Sequence, residues 1–385
     1  MQFESEILII GGGLAGLTAA LHLEKAGFNV ILIEKIAYPH HKVCGEYVSN
    51  EVLPYLDWLG IHIEKLDPSH IKNLEITTAS GKSIKGILPL GGFGISRYKL
   101  DDFLYQQALK KNIKVVFDTV TDVKFQADTF SINTSSGTIY KAKQVLGAHG
   151  KRSTLDQKME RNFMSYKSPF LAVKAHYVGD FPDDLVALHN FNGGYCGVSK
   201  VEDDKINICY LAGYETFKKH KNIDEYQKAV LYKNKHLEHI FESCDMIFEQ
   251  PLTISQLFFG QKTAVENHVL MIGDTAGLIH PLCGNGMAMA IHSAKKASEI
   301  LVDYFIGNIA SQQQLEKKYT AVWNKQFKSR LKMGEVLAAI LQREKLTNLL
   351  LNGLVKMPSL LNQIIKRTHG KQIAAQILNE NRHRI

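Results

Sequence analysis

Gly11, Gly13 and Gly16, in "GGGLAG", are the first residues in the chain whose type and spacing suit a chemical task. Gly-x-Gly-x-x-Gly allows a tight turn whose backbone amides come close to a pyrophosphate, and the small Ala15 inside it adds little bulk. Glu34 lies where a carboxylate takes ribose hydroxyls; it would repel a 2′-phosphate, so FAD or NAD is expected rather than NADP. Just beyond, "KVCGEYVS" (42–49) sets Cys44, Gly45 and Glu46 side by side. Read alone, Cys44 suits a nucleophile, a metal ligand, a redox thiol or a small residue in a loop passing something flat. Glu46 suits an acid/base or an acceptor for loop amides. Far downstream, "HVLMIGDTAGLIHPLCGNGMAMAIHSA" (268–294) carries Gly273-Asp274, then Pro281, Gly284 and Gly286.

Elements must hold these residues in place. "SEILII" (5–10) is a continuous apolar run, as in a buried parallel strand, and it feeds directly into the glycines. "LTAALHLEKAG" has helical apolar spacing and ends at Gly27, a C-cap residue, while "NVILIE" is a second strand ending in Glu34. Strand, glycine turn, helix, strand and acid together form a dinucleotide cradle, with the pyrophosphate on the helix N-terminus. In the distant segment a strand (Val269 to Ile272) precedes the Gly-Asp pair, and a helix begins near Asn285. Amides at such a helix start, aided by the helix dipole, stabilise a developing negative charge.

The distant segment resembles the second FAD site of flavoprotein hydroxylases of the p-hydroxybenzoate hydroxylase type, and equally that of geranylgeranyl reductases and flavin-dependent halogenases. The resemblance covers most of residues 1–310. It implies an α/β fold: a Rossmann-type, glutathione-reductase-like FAD-binding domain interleaved with an antiparallel-sheet substrate domain, followed by a C-terminal helical region. It implies FAD as cofactor and NADPH or NADH as reductant. Asp274 would contact the ribitol, and the Pro281, Gly284, Asn285, Gly286 and Met287 segment would point its amides at the flavin pyrimidine edge. "ISRYKLDDFLYQQALKKN" (95–112) resembles the family's R-x-x-L-x-x-x-L helix, which puts Arg97 at the flavin-side entrance. Backbone near Val120 would meet the adenine, and Lys35, next to Glu34, joins the cofactor-binding candidates. "KVCGE" resembles the K-x-C-G-E loop of geranylgeranyl reductases, which places Lys42, Cys44 and Gly45 along the isoalloxazine. Cys44 and Glu46 are the catalytic candidates, although the flavin itself carries the chemistry.

The chain departs from the family at three places. "GAHGKRS" (147–153) has His149 where relatives carry an Asp, and Lys151 and Arg152 beside it suit a phosphate or plain surface charge equally. "YCGVSK" (195–200) has Gly197 and Lys200 where geranylgeranyl reductases have Trp and Pro. Halogenating relatives carry a catalytic lysine and usually a W-x-W-x-I-P segment; here the two tryptophans are Trp58 and Trp323, which disfavours halogenation.

The FAD-binding domain is expected from residues 1–72, 98–165 and 258–310, the substrate domain from 73–97 and 166–257, and the helical region from 311–385. A hairpin is expected over 73–90, strands over 169–179, 185–191, 193–201 and 205–213, and a helix over 222–243. Residues 311–385 read as amphipathic helix, suited to core packing and, less favourably, to a partner or a membrane surface. Of the 385 residues, 45% are hydrophobic and 22% charged, an ordinary globular balance. The net charge is +8, but the densest basic run, "KKHKN" (218–222), is short and lacks interleaved aromatics, so nucleic acid is not expected. No apolar run is long enough for a membrane span, and the acidic N-terminus lacks a signal peptide's basic residues; a cytoplasmic protein is expected. The five cysteines have no C-x-x-C spacing, and no metal site is expected. Of the three activities that suit the scaffold, with halogenation disfavoured, hydroxylation of a hydrophobic aromatic or polyketide-type molecule, free or carrier-bound, comes first, and reduction of C=C bonds in a prenyl or polyene chain comes second. A further alternative, of another class, is an FAD-binding protein with little turnover of its own.

Overall fold

The computed structural model describes residues 2–341 and, beyond them, 343, 346, 347, 349, 353, 365 and 370–374. Gln2–Ile10 is the central strand of an eight-stranded sheet. It pairs in parallel with Val30–Glu34 on one side and Ile139–Gly147 on the other. Lys114–Phe117 extends the first side and Val269–Met271 the second, both parallel. Residues Ile7–Ile10, Val30–Ile33, Val145, Leu146 and Val269–Ile272 are buried, as both-face burial of a parallel sheet requires. Leu14–Lys25 covers one face and packs against Arg97–Lys110 and Gly286–Phe305. Residues far apart in the chain thus meet at the carboxyl ends of the same strands, where open α/β sheets bind ligands.

A second, nine-stranded sheet follows the order Cys244–Met246, Phe170–Gly179, Ile206–Gly213, Gly194–Lys200, Leu185–Phe191, Ser69–Thr77, Ser83–Gly94, Tyr47–Ser49, with Leu252–Ser255 also on Phe170–Gly179. The 73–90 hairpin is present, and its strands run longer than expected. Its first strand begins at Ser69, four residues inside the segment assigned to the other domain, because Ser69–Ile71 continue the pairing to Gly92–Gly94 past an irregularity at Ile71/Asn73. The helix expected over 222–243 is two helices, Ile223–Val230 and Lys235–Ser243. Asn234 divides them, because its side chain accepts from the His236 amide and so caps a new helix.

Gln312–Leu341 is one 30-residue helix. Leu315, Tyr319, Trp323, Phe327 and Leu331 recur every four residues and are all buried in the main core, so this part of the tail packs inward. Most of the tail after residue 341 lies outside the described residues. Among the described residues no helix is long and apolar enough to cross a membrane.

Candidate functional site

The glycine turn is shaped by close contacts. Gly11 has φ +103°, and a Cβ there would collide with the Ala148 carbonyl; a Cβ at Gly16 would collide with the Gly11 carbonyl. Gly13 differs, because nothing would crowd its Cβ closer than Arg97 Nη2 at 3.6 Å and Lys42 Nζ at 3.9 Å. Gly13 is also the N-cap of Leu14–Lys25 and supplies no side-chain cap to the first-turn amides, and two cations stand beside it. Both cations are fixed by Asp101, which is 1% exposed. Arg97 donates to it through Nε (2.8 Å) and Nη2 (2.7 Å), and Lys42 through Nζ (2.9 Å). Burial pushes the Asp101 carboxyl up, but Arg97 and Lys42 outweigh it and hold the group below the usual carboxylate range. Sequence reasoning missed Asp101; its signal is the i,i+4 spacing from Arg97.

Glu34 closes the other side of the turn. Its Oε2 accepts from the Gly12 amide at 2.6 Å and its Oε1 from the Ile36 amide at 3.1 Å. Tyr38 donates to the Gly12 carbonyl and stacks on Tyr105. Lys35 is exposed, and Val120 is buried at the start of the strand Val120–Gln126.

The second motif meets the first directly. Gly273 has φ +59°, and a Cβ there would come within 2.9 Å of the Ala15 side chain. Its amide donates to Ser293. Pro281 opens a single turn that Gly284 ends at φ +61°, and a Cβ on Gly284 would touch the Tyr47 ring. Gly286–Phe305 then begins with Asn285 as an N-cap that makes no side-chain cap bond. Met287 is buried behind it. Asp274 is partly buried, and its carbonyl accepts from Lys262 at 2.9 Å.

The loop 42–46 leads into Tyr47–Ser49 of the second sheet. Glu46 is fully buried at φ +54°. Its carboxylate accepts from the Arg97 amide (2.8 Å) and Lys174 Nζ (2.8 Å), and bonds His176 Nε2 (2.6 Å). Burial pushes this carboxyl up, but His176 and Lys174 overcome that and hold it below its ordinary value. Glu46 is therefore an anchor between loop and sheet. Lys174 and His176 escaped sequence reasoning as site residues, although a Lys and a His two apart in an otherwise apolar strand share one face and signal a buried polar partner. Cys44 is half-buried, and its carbonyl accepts from Asn207 Nδ2 at 3.3 Å. Gly45 is exposed, with open space around it.

His149 turns to Asp156, its Nε2 lying 3.0 Å from Oδ1, and Arg161 Nη1 donates to the same oxygen at 2.8 Å. The imidazole occupies a buried ion network of its own. Lys151 donates to the Val43 carbonyl at 2.7 Å and Arg152 to the Met164 carbonyl at 3.0 Å, so both cations brace neighbouring loops.

Above these loops sits an apolar cluster. Ala172, Tyr195 and Leu211 from the second sheet meet Leu278 and Leu282 of the second motif and Val43 of the 42–46 loop. Phe170, Phe259 and Tyr195 all pack on the His280 ring. Burial pushes His280 down to about 4, which keeps that ring neutral at physiological pH. Trp58 lies against His22, and Trp323 lies against Phe327 and closely over Gly277 of the second motif.

An uncrowded glycine under two cations, an acid at the strand end and two helix starts without side-chain caps fit a dinucleotide that carries a flavin. The FAD binding domain family model matches residues 4–321. The chain belongs to this family. It is an FAD-dependent oxidoreductase of the superfamily that includes monooxygenases, halogenases and geranylgeranyl reductases. It is 24% identical over 375 residues to conditioned medium factor receptor 1 of Dictyostelium discoideum, covering 88% of this chain and 71% of that one. It is 24% identical over 348 residues to digeranylgeranylglycerophospholipid reductase 1 of Methanosphaera stadtmanae, covering 83% and 80%. The flavin-dependent brominase Bmp2 shares the fold at a TM-score of 0.79 and 16% identity, over 95% of this chain and 93% of that one.

Proposed function

We propose that this FAD-dependent oxidoreductase is a monooxygenase that hydroxylates a hydrophobic aromatic or polyketide-type molecule, with NADPH or NADH as electron source. The observation that carries the reading is the ring-rich apolar cluster of Phe170, Tyr195, Phe259 and neutral His280, between the second sheet and both flavin-side loops. Such a wall suits a flat apolar ring and excludes water. When bound, FAD supplies the two-electron chemistry that takes reducing equivalents from a nicotinamide and activates O₂ for transfer of one oxygen atom. Lys42 and Arg97, fixed by Asp101, would neutralise the pyrophosphate; Glu34 would take the ribose hydroxyls; the amides opening Gly286–Phe305 would meet the pyrimidine edge. Cys44 and Gly45 would pass along the isoalloxazine, and Glu46 holds their loop in place.

A second reading, reduction of C=C bonds in a prenyl or polyene chain, is favoured by "KVCGE" and by the likeness to the archaeal phospholipid reductase. One experiment separates the readings. FAD-loaded protein is mixed with NADPH or NADH without oxygen, and then with labelled O₂ and a panel of alkylated phenols and polyprenyl lipids. Monooxygenation predicts flavin bleaching and one labelled oxygen atom in a phenolic product. Reduced C=C bonds without label would replace it with the reductase reading. No bleaching with either nucleotide would leave an FAD-binding protein with little turnover of its own, and a product that depends on added halide would point to halogenation.

A further inference from the structure

Glu51 is buried five residues beyond Glu46, and none of the roles above uses it. Three parts of the molecule converge on its carboxylate. The Asn285 side chain hydrogen-bonds to it from the start of the second-motif helix. Arg330 reaches it through Nη1 at 3.3 Å from the long helix Gln312–Leu341. The Gly370 amide donates to its Oε2, and the Ile373 amide donates to its backbone carbonyl at 2.7 Å. Ile373 is 4% exposed and belongs to the main core, so this last described segment is seated there.

The consequence falls on the helix start. Asn is among the strongest capping residues, and a capping Asn side chain accepts from its own helix's amides, with its backbone extended. Asn285 is in the N-cap position with φ −125° and ψ 10°, outside that extended geometry, and makes no cap bond. Its side chain is engaged by Glu51 instead, which leaves the opening amides of Gly286–Phe305 available to a ligand.

We propose that Glu51 is a positioning residue for the flavin: it holds the Asn285 side chain off its own helix and ties the segment 370–374 to the cofactor site. This rests on the reading that those amides meet the flavin. Docking of the C-terminal segment and binding of FAD therefore support each other through one carboxylate.

The test uses full-length protein. FAD affinity is measured by fluorescence quenching, and sulfite affinity of the loaded protein reports how well negative charge is stabilised at the pyrimidine edge. Glu51→Ala is expected to weaken FAD binding about tenfold, a loss of about 1.4 kcal/mol, and to weaken sulfite binding as well. Asn285→Ala should reproduce both effects, and the double variant should be no worse than either single one. Gly370→Ala acts from the other side, because its Cβ would strike Arg330 and Glu51; it should lower FAD affinity without touching the motif itself. If Glu51→Ala does not fold, Glu51→Gln keeps the side-chain length and removes the charge, and the same losses are expected in milder form. Native FAD and sulfite affinities in Glu51→Gln and Gly370→Ala would overturn the proposal, as would full additivity of Glu51→Ala with Asn285→Ala. Failure of the wild-type chain itself to bind FAD would overturn the cofactor reading instead.

Discussion

Lys174 Nζ and Glu46 Oε1 form an ion pair at 2.8 Å, and both side chains are fully buried. Removing one partner of such a pair strands a charge in the interior, whereas replacing both with apolar groups is often tolerated. Glu46→Ala should therefore destabilise the protein by about 3–5 kcal/mol. Glu46→Gln with Lys174→Met should recover most of that loss, because Gln still accepts from the Arg97 amide and meets His176. Urea midpoints of wild type, Glu46→Ala and the double variant check this. A Glu46→Ala protein as stable as wild type would contradict the anchoring role.

The same carboxylate sets part of the acid response. Its folded pKa is depressed below the ordinary 4.5, so its stabilising contribution is complete above 4.5 and is lost as pH falls through the folded value. Asp101 is held low for the same kind of reason, with Arg97 and Lys42 as its partners. Wild type should lose stability steadily below about pH 4.5, and Glu46→Gln should show a shallower acid limb. An identical acid limb in the two proteins would mean that Glu46 does not titrate differently on folding.

The two glycine motifs were legible because each is local: strand, turn and helix start lie within one stretch, and their residue types follow from backbone geometry. That Gly273 packs on Ala15 could only be anticipated through the family resemblance. The Glu46 anchor was not legible in the same way, since Lys174 and His176 lie some 130 residues away, on a strand that is not a neighbour of Tyr47–Ser49 in the second sheet. The strand 170–179 was readable as a strand, and two polar residues on one of its faces were a signal without an address. His149 read as a change in nucleotide handling; its commitment to Asp156 and Arg161 depends on packing that sequence spacing does not encode.

The glycines of the first turn should separate folding from binding. Gly16→Ala drives a Cβ into the Gly11 carbonyl, so the apoprotein itself should lose stability. Gly13→Ala adds a Cβ with no neighbour closer than 3.6 Å, so the apoprotein should melt close to wild type. That Cβ nevertheless enters the space under Lys42 and Arg97, and FAD affinity should fall at least about tenfold, or 1.4 kcal/mol. Thermal melts without cofactor, followed by FAD titration, distinguish the two. Normal FAD binding by Gly13→Ala would remove the pyrophosphate from this turn.

Cys44→Ser tests the loop itself. Cys44 is half-buried, its carbonyl is held by Asn207, its Sγ accepts from the Glu46 amide at 3.5 Å, and the Glu46 carboxylate anchors the loop on Lys174. The hydroxyl is nearly isosteric, so the variant should retain FAD while its rate of reduction by NADPH or NADH changes. Loss of the bound yellow colour would instead make the thiol a structural requirement of the site.

Lys262 supplies an alkaline counterpart. It is 5% exposed, donates to the Lys151 carbonyl at 2.7 Å and the Asp274 carbonyl at 2.9 Å, and burial pushes it down from 10.5 to about 8. Between pH 8 and 10.5 the unfolded chain keeps this proton and the folded chain does not, so stability should rise with pH across that window. The contribution reaches at most about 1.4 kcal/mol per pH unit. The neutral amine retains two N–H donors for its two carbonyls, so the brace between the 147–153 loop and the second motif survives deprotonation. Lys262→Met removes both the rise and the brace. Its stability relative to wild type should therefore be least unfavourable near pH 7.5 and worsen steadily towards pH 10, as urea unfolding at a series of pH values would show. A difference that stays constant over that range would mean that Lys262 titrates alike in the folded and unfolded chains.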